Sequence, residues 1–420
     1  MKHLAVKWLV STLLVMILGV GGFTSFLWFQ ANKHSEIALD SLTDPDQDQA
    51  GDLVAVTQLG YYYHLLTAFL IRGRGLPAQI EVSSGMRLYR LEYRTAFKGK
   101  LVNASGLLAL PTNPSRDAVV VYSHGTNAVR ADVPSKPSFG DGVFVSSLIA
   151  GGGYIFLAPD YLGLGISEQV QPYFYADSSV SSTLDLLKAA RSFVRYQGYS
   201  WPSGQLLVGF SEGGWATSAL HRALEQQDDP HFQVLGTATV AAPFDLANIS
   251  VPFAFEGKAG KTASFYLAFL AFAYSTVYDQ PLETLLKESY ASQIPQLFDG
   301  EHATDSILKA LPEVPREMFQ TSFLVALDER GDHWFLRALE ENGVYDWSPI
   351  APLRAYYGDD DVDVSPRESQ YAVQHMQALG GNAMATSLGP YDHFGSLFKA
   401  TPEIRMWFDS LAPQDAKKAN

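Results

Sequence analysis

The chain has 420 residues, no cysteine, and a net charge of −14 from 30 basic and 44 acidic residues. Without cysteine there are no disulfides, thiolate zinc sites or cysteine nucleophiles, and the acidic balance leaves no basic stripe for nucleic-acid phosphates. A hydrophobic content of 47% supplies a sizeable core, and the length suits one α/β domain with an insertion.

At the N-terminus, Lys2 and Lys7 precede the uncharged stretch Trp8–Phe29, long enough to cross about 30 Å of hydrocarbon as a helix. Its exit, Leu27-Trp28-Phe29-Gln30, is bulky where a signal-cleavage site wants small residues. Segment 1–32 is therefore expected to be a transmembrane signal-anchor that leaves the remaining chain on the periplasmic side of an inner membrane. Secretion after cleavage is the alternative. Residues 33–57 are polar and acidic and read as a linker.

An amphipathic segment follows around Tyr61–Leu70, then two strands at 86–95 and 100–110. The apolar runs Ala118–Tyr122 and Tyr154–Ala158 have the character of central parallel strands, with a helix between them at 140–151. A helix at 178–197, a strand at 206–210, a helix at 212–226 and a strand at 234–241 continue the alternation. Residues 245–345 break it with a helix-leaning, aromatic stretch. The rhythm then resumes: strand 353–357, helix 366–379, strand 384–388 and helix 395–411. Strands alternating with helices predict a mostly parallel sheet covered on both faces. The core is expected at 58–244 and 346–420, with 245–345 inserted as a helical cap.

The chemistry centres on Gly209-Phe210-Ser211-Glu212-Gly213, set between the strand ending at 210 and the following helix. Two glycines free such a turn of Cβ clashes and leave the serine hydroxyl exposed at its tip. A serine needs a base held by a carboxylate. Among ten histidines, His393 lies in Gly389-Pro-Tyr-Asp-His-Phe-Gly395, directly after the last strand, and loops at the strands' C-terminal ends share one edge with Ser211. The acid belongs on the loop after the preceding strand, where Asp359, Asp360, Asp361 and Asp363 crowd together. Like charges so close cannot all be buried, and the spacing from Gly358 favours Asp361, with Asp363 second. A calcium loop with Asp359, Asp361 and Asp363 lacks its glycine at the sixth position (Val364) and its glutamate at the twelfth (Gln370).

Oxyanion donors are expected from the backbone N–H of Glu212 and of Thr126, with Asn127 as alternative to Thr126. The side chain of Glu212 has no evident role and reads as solvated. His124 is read as bracing the loop Ser123-His124-Gly125-Thr126. Asp160-Tyr161-Leu-Gly-Leu-Gly165 lacks the spacing of a phosphate loop and is read as a tight loop lining the pocket. Phe265, Tyr266, Phe269, Phe272 and Tyr274 form a candidate aromatic wall over Ser211. The pocket set is thus His124, Asn127, Tyr161, Phe265 and Phe269. No H-E-x-x-H metal motif is present.

The order Ser211, Asp361, His393, together with SHGT at 123–126, APDYLGLG at 158–165, GFSEGG at 209–214 and GDDDVDVSP at 358–366, resembles the α/β-hydrolase superfamily over roughly residues 85–410. DYLGLG departs from the commoner DYPGLG at Leu162. With DWSPIAP at 346–352 the chain is similar to the secretory lipase and esterase branch, which carries a helical cap. The resemblance implies a serine carboxylic-ester hydrolase without a cofactor or metal, acting on a small-molecule or lipid ester. The fold hosts many chemistries. A serine peptidase or acyltransferase, and a non-catalytic tethered binding protein, remain the rival readings.

Overall fold

The computed structural model describes residues 34–38, 48–72, 80–136 and 141–413, and the expected anchor of 1–32 lies outside them. Among the described residues, no helix is long and apolar enough to cross a membrane.

One ten-stranded sheet, in the order β1-β2-β3-β4-β6-β5-β7-β8-β9-β10, organises the chain. Its first part is an antiparallel meander of β1 (Ser35–Ile37), β2 (Leu53–Tyr62), β3 (Met86–Phe97) and β4 (Lys100–Pro111). β3 and β4 meet at Lys98-Gly99, both with positive φ (48° and 73°), the combination that a two-residue hairpin turn requires. Next come β5 (Ala118–Ser123), β6 (Ile155–Pro159), β7 (Gly204–Phe210), β8 (Gln233–Val240), β9 (Leu353–Tyr357) and β10 (Ala383–Ser387), which pair in parallel. Residues expected to form a linker thus enter the sheet: Leu53–Tyr62 pairs along β3. The shifts in its register, between Leu53 and Ala55 and between Gln58 and Gly60, break the two-residue alternation by which a strand is read.

Val119 and Val121 of β5 join a cluster with α3 (Ala176–Tyr196) and α4 (Glu212–Gln227), while Val120 faces α2 (Asp141–Ala150) and α12 (His393–Leu411). All three valines are at most 1% exposed, which makes each worth roughly 1.5–3 kcal/mol of burial. α1 (His64–Arg72) packs beside α2, and α11 (Arg367–Ala378) lies against β9 and β10.

Between β8 and β9 the chain leaves the sheet. It forms a π-turn at Leu246–Ser250 and then α5 (Val251–Phe255), α6 (Lys261–Val277), α7 (Glu288–Leu297), α8 (Thr304–Ala310), α9 (Thr321–Glu329) and α10 (Trp334–Glu341). These helices share one apolar cluster with Trp215 and Ala216 of α4 and with Ala372 and Met376 of α11.

Candidate active site

β7 ends at Phe210 and α4 begins at Glu212, so Ser211 alone makes the turn, with φ +56° and ψ −125°. Non-glycine residues rarely adopt this conformation, and it persists only when the surroundings over-determine it. Here the surroundings are backbone: a Cβ on Gly209 would lie 2.0 Å from Gly213 O, and one on Gly213 would lie 2.0 Å from Ser123 O. The helix start is thereby pressed onto the loop after β5, which brings Thr126 beside Ser211.

His393 was expected in a loop but is the first residue of α12, whose N-terminus Asp392 caps by accepting a hydrogen bond from Gly395 N at 2.7 Å. The loop before it runs along the acid loop. Asp359 N donates to Gly389 O at 2.9 Å and Asp360 N to Tyr391 O at 3.2 Å. Gly358 is needed there, because a Cβ would sit 2.1 Å from Tyr391 O.

These loops bring three side chains into line. His393 Nε2 is 2.9 Å from Ser211 Oγ, and His393 Nδ1 is 2.8 Å from Asp361 Oδ2. Asp361 Oδ1 accepts from the amides of Asp363 and Val364, both at 2.9 Å, which fixes the carboxylate's rotation. All three residues are buried, and Phe210 lies against the imidazole at 4.7 Å. Among the four clustered aspartates, Asp361 is the one turned inward to the imidazole. Asp359 accepts from Ser387 Oγ, and Asp363 is bonded to Tyr266, with its carboxyl raised by burial. Asp361, Asp363 and His393 also bring one ligand atom each within 4.8 Å of one another, but two of those three groups are already engaged with each other and with Ser211.

Glu212, read as solvated, is buried at 4% exposure. Burial pushes its carboxyl up to about 8, against the lowering effect of a hydrogen bond with the Thr126 hydroxyl. Its Oε2 has no hydrogen-bond partner among the described residues. Thr126 Oγ1 also lies 2.8 Å from Tyr173 Oη. A carboxylic acid, a threonine and a tyrosine therefore form one chain of contacts behind the two expected oxyanion donors. Glu212 opens α4, where N–H groups have no intrahelical acceptor.

His124 does brace its loop. Its Nδ1 is 2.7 Å from Gly125 O, its ring lies tilted against Tyr161 at 4.3 Å, and Tyr161 Oη donates to His124 O at 3.0 Å. Burial lowers its pKa. Asn127 is likewise spent on its own loop, donating to Asp132 O and accepting from Val129 N. Asp160 is fully buried and holds Ser105 and Ser135, so the DYLGLG loop is a structural tie.

Two cavities meet at Ser211. A large one of about 500 Å³ also reaches His124, Thr126, Asn127 and His393, and a small one of about 60 Å³ lies against Tyr173, Val251, Leu270 and Asp363. Tyr266 lines both. Tyr161, Phe265 and Phe269 line neither, which corrects the expected pocket. Phe269 stacks between Tyr173 at 4.5 Å and Phe298 at 4.7 Å, and Phe265 packs on Tyr266 and Phe298. On a helix the apolar face goes to the core, and Phe269 through Tyr173 and Tyr274 through Phe174 O join the inserted helices to the sheet domain.

Glu368 gave no signal in sequence. It follows the acid loop on α11, is fully buried, and accepts from Phe244 N at 2.8 Å, Asp245 N at 2.9 Å and the Ser250 hydroxyl. Burial raises its carboxyl to about 8, opposed by those hydrogen bonds. It ties the start of the inserted helices to the acid loop's helix.

No protein-family model and no curated protein matches the chain. Solved structures do. A putative hydrolase from Legionella pneumophila superposes with a TM-score of 0.78 at 28% identity, over 86% of this chain and 98% of that one. The rice cell wall degrading esterase LipA from Xanthomonas oryzae gives 0.75 at 21% identity over the same shares. Candida antarctica lipase A in its closed state gives 0.64 at 15% identity, over 87% of this chain and 84% of that one. The expected mostly parallel sheet flanked by helices is found, with an antiparallel meander at one side. The chain has the α/β-hydrolase fold.

Proposed function

We propose that the chain is a serine carboxylic-ester hydrolase working through Ser211, His393 and Asp361. The observation that carries this is the continuous line of contacts from Ser211 Oγ to His393 Nε2 and from His393 Nδ1 to Asp361 Oδ2. Ser211 Oγ attacks the ester carbonyl carbon as His393 Nε2 takes its proton. Asp361 holds the imidazole in the tautomer with Nδ1–H and stabilises the imidazolium that forms. The amides of Glu212 and Thr126 receive the oxyanion. Collapse expels the alcohol, which takes the proton from His393, and leaves Ser211 acylated. Water, deprotonated by the same imidazole, then releases the acid.

The inserted helices 245–345 act as a cap over Ser211, with Tyr266 at its inner face. The apolar segment 8–29 is taken as the export signal and anchor, leaving the catalytic region outside the cytoplasm. The esterase and lipase among the structural neighbours support ester hydrolysis over peptide cleavage or acyl transfer, and the complete triad supports an enzyme over a binding protein.

Hydrolysis of p-nitrophenyl acetate by the full-length protein tests the proposal, with Ser211→Ala as control. Turnover should fall on the order of 10⁴-fold or more in the variant. Equal rates in both proteins would remove the serine mechanism.

A further inference from the structure

From the inserted helices the large cavity is lined by Tyr266 and Thr304. It runs from Ser211 along one face of the sheet, between α2 and α12. α12 borders it with Leu397, Thr401 and Ile404, and α2 with Phe144 and Leu148. That spacing is one face of each helix, the face that would otherwise close onto the sheet. Protein interiors leave few voids larger than a water molecule. Among the described residues about 500 Å³ stands open where core packing is expected, and Val208 in mid-sheet is only partly buried.

Its extent can be read along α12. His393 opens α12 and lines the cavity beside Ser211, and Arg405 and Phe408 on the same helix line it too. Twelve residues of helix separate His393 from Arg405, about 18 Å at 1.5 Å per residue. Arg405 is held in place by packing: it is 1% exposed, donates to Asp409 Oδ1 at 3.0 Å and to Leu148 O, and lies over Gly152, where a Cβ would come within 1.9 Å of it. Its charge is therefore met by protein groups. Thr401 spends its hydroxyl on Leu397 O at 2.7 Å. The lining from α2, α12 and the sheet is mainly apolar, the loop after β5 adds Asn127, Asp132 and Lys136, and the other cavity at Ser211 is several times smaller.

We propose that this channel between α2 and α12 holds the acyl chain of the substrate, an unbranched medium-to-long fatty acyl group. At about 1.2 Å per bond, the stretch of about 18 Å along α12 spans roughly 15 bonds of an extended chain, and the assignment rests on the serine-esterase reading above. The small cavity beside Tyr173 and Leu270 takes the short alcohol side. The substrate class is thus a medium-to-long-chain acyl ester of a small alcohol.

The test is kcat/KM for p-nitrophenyl esters from acetate to laurate, below micelle-forming concentrations, on the full-length protein. Wild type should gain up to about fourfold per added methylene until the channel is filled. Thr401→Phe plugs it about 12 Å from His393, so the laurate-to-acetate ratio of kcat/KM should fall at least tenfold and the optimum should shift to shorter chains. Leu148→Trp, from the opposite wall, should do the same, and a thermal melt of each variant reports folding. Ratios in both folded variants that match wild type would overturn the channel assignment. So would a flat wild-type profile with Ser211→Ala inactive on acetate, and in that case the serine-esterase reading survives. If Ser211→Ala equals wild type on acetate, both fall.

Discussion

The loops at the sheet's edge and the helices inserted between β8 and β9 hold their residues by different means. At the edge, position is set backbone against backbone. Gly209, Gly213 and Gly358 each leave no room for a Cβ, and two short loops are tied together by amide–carbonyl bonds. In the insertion, position comes from interlocked aromatic rings and from one buried carboxyl, Glu368, that receives three donors. The edge is local and steric, so its chemistry is written in short motifs. The insertion is held by tertiary packing, where the partner of each ring is far away in sequence.

The largest effect should come from breaking the edge chemically. Asp361→Asn keeps the shape but loses the acceptor for Nδ1–H, and kcat should drop on the order of 10⁴-fold, with an unchanged melting curve. Breaking the edge sterically is next. Gly213→Ala pushes a methyl against Ser123 O, displaces the loop that carries Thr126, and should lower turnover about 10²-fold, with about 1–3 kcal/mol of stability lost in a denaturant titration.

The insertion should answer to its single tie. Glu368→Ala strands two buried amides and the Ser250 hydroxyl and should cost about 2–4 kcal/mol. Glu368→Gln keeps acceptor and partner and should cost under about 1 kcal/mol. Equal losses in the two variants would mean that the hydrogen bonds at Phe244 and Asp245 carry little.

The smallest effect sharpens the contrast through pH. Glu212 and Glu368 both have folded-state values raised from 4.5 to about 8. A raised carboxyl adds stability that is fully present below the unfolded value, and it is lost progressively as pH rises from about 4.5 to about 8. Glu212→Gln and Glu368→Gln should each flatten the fall in stability across that window. A slope unchanged in both would show that neither carboxyl stays protonated in the fold.

Most of the sheet was legible because its strands are continuous apolar runs, and β9 falls where it was expected, at Leu353–Tyr357. β2 was not, since its register shifts disturb the alternation and acidic residues precede it. Ser211, His393 and Asp361 were legible because each follows a strand within a short, glycine-marked loop. Burial of Glu212 and Glu368 was not, because a charged letter reads as surface until the fold supplies its partners. α12 was expected as the last helix, at 395–411, but only the sheet and α2 opposite it make a channel.

The most direct measurement is the site of covalent capture by a fluorophosphonate ester, read by intact mass and peptide mass spectrometry on the full-length protein. A single adduct at Ser211, absent in Ser211→Ala and strongly slowed in Asp361→Asn, is the predicted result. No adduct, or one on another residue that persists in Ser211→Ala, would contradict the claim that Ser211 is an activated nucleophile.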